Sequence, residues 1–154
     1  MQVDPDKTED QELFALSLAS SSRIWRRYLD LQFRELDLSQ ARWSVLLELS
    51  RNEEVTQVEL ARMLGIEAAT LVRLLDGLEK AGLIERRPSA EDRRAKTLHL
   101  TKAACPLIIR MKEISAASRA AILEGISHQD LRVATQVLSR ITARLEVLSD
   151  GQNG

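Results

Sequence analysis

Apolar residues recur at helical spacing through most of the chain, and the residues between them punctuate that pattern into five or six helices and one hairpin. Thr8-Glu9-Asp10-Gln11 has the form of a capping box, with Gln11 placed to reach back to the cap. From there to Leu36 no Gly or Pro intervenes, and Leu13, Phe14, Leu18, Ile24, Trp25, Tyr28 and Leu31 cover more than one face. This predicts one long helix buried on several sides. Ser39 is placed to cap a second helix carrying Trp43, Leu46, Leu47 and Leu49 and ending near Asn52. Thr56-Gln57-Val58-Glu59 forms another capping box, and its helix runs through Leu60 and Met63 to a stop at Gly65. Leu71, Val72, Leu74, Leu75 and Leu78 mark a fourth helix. It closes on Lys80-Ala81-Gly82-Leu83, a cation in the last turn followed by a terminal Gly and an apolar residue.

After Gly82 the period changes. Leu83 to Arg87 is short and strand-like, Pro88 to Asp92 is turn-rich, and Lys96-Thr97-Leu98-His99-Leu100 alternates polar and apolar. Two strands around a turn make a hairpin. Thr101 is placed to cap a fifth helix reaching about Glu124, with Pro106 in its first turn or kinking it. Gly125 breaks the chain and Ser127 caps the last helix. There Leu131, Ala134, Leu138, Ile141, Leu145 and Leu148 alternate spacings of three and four in a heptad-like seam. The expected fold is mainly α with a small β-hairpin wing. Residues 8–38 form an N-terminal dimerisation helix, 39–101 a winged helix-turn-helix domain, and 102–149 C-terminal dimerisation helices.

Composition narrows the chemistry. The 154 residues are 44% hydrophobic and 29% charged with a net charge of -1, a core-forming balance. The single cysteine, Cys105, excludes an intrachain disulfide and any CxxC motif. It reads as an inert thiol, set beside Pro106. Two distant histidines, His99 and His128, give no metal site, and the glycines form neither GxGxxG nor a P-loop. No metal or cofactor is expected, and no nucleophile–base pair supports an enzyme. The longest charge-free run, Leu13 to Ser22, is half the roughly 20 residues of a membrane span, and the acidic N-terminus is unlike a signal peptide. The expected location is the cytoplasm.

The near-neutral total conceals a cluster. Between Arg86 and Lys102 stand Arg86, Arg87, Arg93, Arg94, Lys96 and Lys102 against Glu91 and Asp92. Such a cluster suits a polyanion at one edge, or simply a solvated hairpin. The segment just before it decides between these. From Gln57 to Asp76, two short helices meet at Gly65-Ile66-Glu67, with small Ala61 at the crossing and Leu71 and Leu74 turned back into it. This spacing is that of a helix-turn-helix. Its second helix offers Ala68, Ala69, Thr70, Arg73 and Gly77 outward to a major groove roughly 12 Å wide. Arg73 is the candidate reader of guanine or phosphate. Arg93 and Arg94, at the hairpin tip beside Asp92, are candidates for the minor groove, although Asp92 and Arg94 could also pair locally. Lys96, Arg86 and Lys102 are candidates for phosphate contacts.

Leu38-Ser39-Gln40-Ala41-Arg42-Trp43, Leu60-Ala61, Leu64-Gly65-Ile66, Thr70-Leu71-Val72-Arg73, Gly82-Leu83-Ile84, Asp92-Arg93-Arg94-Ala95-Lys96 and Leu100-Thr101 resemble the MarR family over about residues 10–149. Arg23-Ile24-Trp25-Arg26 and Gly125-Ile126-Ser127 point to its SlyA-like branch. The resemblance implies a homodimeric regulator of transcription on double-stranded DNA with a palindromic operator, often a repressor. It places the family's recognition-helix arginine on Arg73 and its wing arginine on Arg94. It also implies release by a small phenolic or aromatic carboxylate effector in a pocket near Trp43, Arg23 and Arg26. Read from packing alone, Trp43 and Trp25 are core and dimer residues, and His99 is structural. The rival reading is a winged-helix module for dimerisation or protein docking that binds no DNA.

Overall fold

The structure is a computed structural model and describes residues 5–52, 54–89 and 95–151. In chain order it contains α1 (Pro5–Phe33), a 3₁₀ turn (Arg34–Leu36), α2 (Gln40–Leu49), β1 (Val55–Thr56), α3 (Gln57–Leu64) and α4 (Ala68–Lys80). There follow β2 (Ile84–Pro88), β3 (Lys96–Leu100), a second 3₁₀ turn (Lys102–Ala104), α5 (Cys105–Ile122) and α6 (His128–Asp150). The chain divides into two compact units, Met1–Ser118 and Arg119–Gly154.

In the first unit the helix boundaries follow from local chemistry. Ser39 accepts a hydrogen bond from the Arg42 N–H and so starts α2. Thr56 and Glu59 form the reciprocal capping box of α3: the Thr56 hydroxyl accepts from the Glu59 N–H, and the Glu59 carboxylate accepts from the Thr56 N–H at 2.8 Å. The Thr56 hydroxyl also donates to the Glu59 carboxylate at 2.7 Å, and this bond first, then the one from the Thr56 N–H, lowers the Glu59 pKa. Gly65 ends α3 at φ 62, and Gly82 follows α4 at φ 72. A side chain rarely adopts this left-handed backbone, so glycine is the fitting residue at both stops.

Three expectations need correction. Thr8 lies within α1 rather than at its cap, because the helix already begins at Pro5. Proline suits a first turn, where its missing N–H forfeits no bond. Nor is α1 buried on several sides in this chain: Leu13, Leu16 and Ile24 are more than 60% exposed, and among its described side chains only Phe33, at its C-terminal end, is fully buried. Periodicity shows that these side chains need cover, not which chain supplies it. Thr101 does not cap α5 either. A 3₁₀ turn intervenes, and the Thr101 hydroxyl donates to the Gly82 carbonyl at 2.6 Å. Pro106 sits in the first turn of α5, where it is tolerated.

The hairpin also gains a third strand. β1 pairs with β3 through Val55 opposite Leu98, giving an antiparallel sheet in the order β1-β3-β2. The core sits where this sheet, α2, α3, α4 and α5 meet. Trp43, Leu46, Leu60, Leu71, Leu75, Leu78, Ile84, Leu98, Ile108 and Met111 fill it.

In the second unit Ser127 caps α6 by accepting from the Asp130 N–H at 3.1 Å. Along α6, Leu131 and Ile141 are half-buried, while Val133, Val137, Leu138, Leu145, Val147 and Leu148 are exposed.

Candidate DNA interface

The sequence places a protruding helix face and a basic hairpin side by side, and the fold sets both on one base. Ile66 N–H bonds back to the Ala61 carbonyl at 3.1 Å and Gly65 N–H to the Arg62 carbonyl at 3.2 Å, closing the turn between α3 and α4. That turn fixes the register of α4. Leu71, Leu75 and Leu78 go inward and are essentially buried, so Ala68, Ala69, Thr70 and Arg73 emerge on the outside. Arg73 makes no ion pair among the described residues. Three small side chains ahead of one extended cation leave the helix free to approach a surface closely.

Gly77 is the exception on that face. A Cβ there would lie 3.4 Å from Nη2 of Arg42, so Gly77 faces the start of α2 and leaves room for the Arg42 guanidinium. Arg42 is exposed and, like Arg73, forms no ion pair among the described residues.

The hairpin register runs from Ile84 opposite Leu100 to Pro88 opposite Lys96, and the Ser89 N–H bonds to the Ala95 carbonyl at 3.0 Å beyond it. Lys96 is exposed at the head of β3, and Lys102 is exposed in the 3₁₀ turn. Arg93 and Arg94 lie outside the described residues. Arg86, expected at a phosphate, turns the other way. Its Nη2 donates to Asp76 Oδ1 at 2.6 Å and its Nη1 donates to Glu79, so both carboxylates of α4 are met by one guanidinium. Burial by itself would lower the Arg86 pKa, but hydrogen bonding and attraction to Asp76 and Glu79 outweigh it and raise the pKa. On the opposite face of the hairpin Arg87 donates through Nε to Glu85 at 2.7 Å, and Thr97 and His99 share a 2.8 Å hydrogen bond.

A cleft of about 490 Å³ lies behind the recognition helix, with Arg26, Gln40, Trp43, Met63, Thr70 and Leu74 among its walls. Beside it a more polar hollow of about 500 Å³ is lined by Arg23, Arg26, Arg27, Ser22, Asp30 and Gln40. Trp43 is nonetheless a core residue, only 5% exposed. Its ring packs at 5.0 Å and 51° on Phe33, and its Nε1 donates to Asp30 at 3.4 Å. Arg26 and Gln40 line both hollows.

Sequence reasoning missed β1, the Arg42–Gly77 contact and the double pairing of Arg86. A carboxylate pair one turn apart on α4, Asp76 and Glu79, was the signal available for the last of these.

A helix-turn-helix whose second helix shows small residues and an unpaired arginine, followed by a three-stranded wing, defines a winged-helix DNA-binding protein. The MarR family profile matches residues 36–95. The solved transcriptional regulator PA3341 is 49% identical over 86% of this chain and 98% of its own, with a TM-score of 0.82. A MarR family regulator from Listeria monocytogenes, determined with a 26mer DNA, is 22% identical over 85% of this chain and 87% of its own at a TM-score of 0.76. The transcriptional regulator SlyA is 19% identical over 86% of this chain and 93% of its own at a TM-score of 0.74. The chain belongs to the MarR family: it is a transcriptional regulator and not an enzyme.

Proposed function

We propose that the protein binds a palindromic operator as a homodimer and represses transcription in the cytoplasm until a small aromatic carboxylate or phenol releases it. The observation that carries this reading is the outward face of α4, where Ala69, Thr70 and an unpaired Arg73 project from a helix whose other face is locked into the core. Residues 39–101 are the DNA-binding domain. Residues 8–38 and 102–149 join the two protomers through the apolar side chains that α1 and α6 leave exposed, Leu13, Leu16, Ile24, Leu145 and Leu148 among them. Two recognition helices then enter major grooves about one turn, roughly 34 Å, apart. Arg73 reads a base edge, Arg93 and Arg94 occupy the flanking minor groove, and Lys96 and Lys102 meet phosphates. Arg86 is a brace in this scheme and not a phosphate contact. That the Listeria monocytogenes neighbour was determined with a 26mer DNA supports the DNA-binding reading. The segments Arg23 to Arg26 and Gly125 to Ser127 favour a SlyA-like regulator.

The effector site we assign to the cleft behind α4. Arg26 supplies positive charge at its rim, Thr70 and Leu74 belong to the recognition helix itself, and Arg23 extends the charge into the adjoining hollow. An occupant therefore touches the element that reads DNA, and it acts by favouring one spacing of the two helices over the other.

Operator fragments selected from genomic DNA provide the test. Arg73→Ala should weaken binding by about 1–3 kcal/mol and relax preference at one base position, and Arg94→Ala should reduce the salt slope by about one. Wild-type affinity and salt slope in both variants would refute these roles. Retention of partner proteins, with no DNA selected, would favour the docking-module reading.

A further inference from the structure

We propose that Arg86 is a positioning residue: it braces the wing against the recognition helix and sets the angle between the two DNA-facing elements. Its functional consequence rests on the DNA-binding reading above.

Arg86 is the middle residue of β2, and the strand is held there by pairing with Leu98, itself buried. Asp76 and Glu79 stand one turn apart on α4, hence on one face. The Arg86 fork spans both, at 2.6 Å to Asp76 and in direct contact with Glu79. The Arg86 side chain is only 15% exposed although its partners are 61% and 41% exposed, so the cation reaches inward to the helix and not outward to solvent. A planar guanidinium whose two Nη donors meet separate carboxylates fixes direction as well as distance, which a lysine ammonium does not.

The brace acts just beyond the short connection between α4 and β2. That connection is the segment Ala81-Gly82-Leu83, in which Gly82 has a left-handed backbone. Thr101 secures that corner through its hydroxyl to Gly82 and through its N–H to Leu83 at 3.0 Å. The base of the sheet is also held by Ile84 and Leu98 in the core and by β1 on β3. Arg86, three residues beyond Leu83, adds a side-chain tie that fixes the lean of the hairpin relative to α4. The same contact offsets one of the two negative charges on the helix that faces phosphates.

Positioning and charge neutralisation make different predictions. In the free protein, Arg86→Gln should raise amide hydrogen exchange across 84–88 and 96–100 by about tenfold, with α5 unchanged. Asp76→Asn with Glu79→Gln, surface changes that break the brace from the other side, should do the same. On selected operator DNA, Arg86→Gln should lose roughly tenfold to a hundredfold in affinity, with protection of the flanks fading before that of the centre. Combining Arg86→Gln with Asp76→Asn and Glu79→Gln removes the repulsion without restoring the brace, so binding should stay weak. Unchanged exchange in Arg86→Gln overturns the proposal, and so does full recovery of affinity in the triple variant. If the wild-type chain selects no operator, the DNA reading fails, while the exchange measurement still decides whether the brace exists.

Discussion

Arg73 and Arg86 carry the same side chain and their neighbours give them different tasks. Arg73 projects from α4 with no ion pair among the described residues, whereas Arg86 is enclosed between Asp76 and Glu79. Their residue type was legible in the sequence and their partners were not, because a contact between residues ten apart depends on how α4 and β2 cross. Caps are different, since their partners are three residues away: Ser39, the pair Thr56 and Glu59, and Ser127 could be read directly. Glu59 yields a prediction with a definite sign. Its pKa is lowered in the fold by hydrogen bonding from Thr56. Its contribution is therefore complete above the unfolded pKa, near about 4.3, and is lost as pH falls through the lower folded value. Urea midpoints measured from neutral to strongly acid pH should fall less steeply in Glu59→Gln than in wild type. A parallel decline would show that the box does not titrate. Thr56→Ala, which removes the cap itself, should cost about 1 kcal/mol at neutral pH.

At the scale of elements, the turn between α3 and α4 controls which face of the recognition helix is outside. Gly65 holds φ 62 there with nothing within 4 Å of where a Cβ would go, so the difficulty of replacing it is conformational and not steric crowding. Gly65→Ala should lower stability by about 1–2 kcal/mol, and Gly65→Asn by less, since Asn tolerates this region. Denaturant melts of the two variants check the order, and equal values would show that the turn relaxes. The helix-turn-helix, the hairpin and the stops at Gly65, Gly82 and Gly125 were all readable from local chemistry. β1 was not, because Val55 and Thr56 carry no strand period of their own and pair only once β3 is present. Arg86 pairing and the placement of Gly77 against Arg42 belong to the same class, in which packing between elements overrides what a single segment can show.

At the scale of the whole molecule, the unexpected exposure of α1 becomes informative. Leu13, Leu16 and Ile24 on α1, and Val133, Leu145, Val147 and Leu148 on α6, are apolar surface that a single chain leaves in water. A second copy is the proposed cover, and a closed two-fold pair carries two α4 helices and two wings. In the proposed scheme each protomer reads one half-site, and an occupant of the proposed effector cleft behind α4 favours one distance between the two helices. A hydroxyl-radical footprint on the highest-affinity selected operator is the most direct measurement of this scheme. The account predicts two equivalent protected half-sites about 10 base pairs apart, related by a dyad, and their joint disappearance in Arg73→Ala. A single unpaired half-site, or an unaltered footprint without the Arg73 side chain, would contradict it.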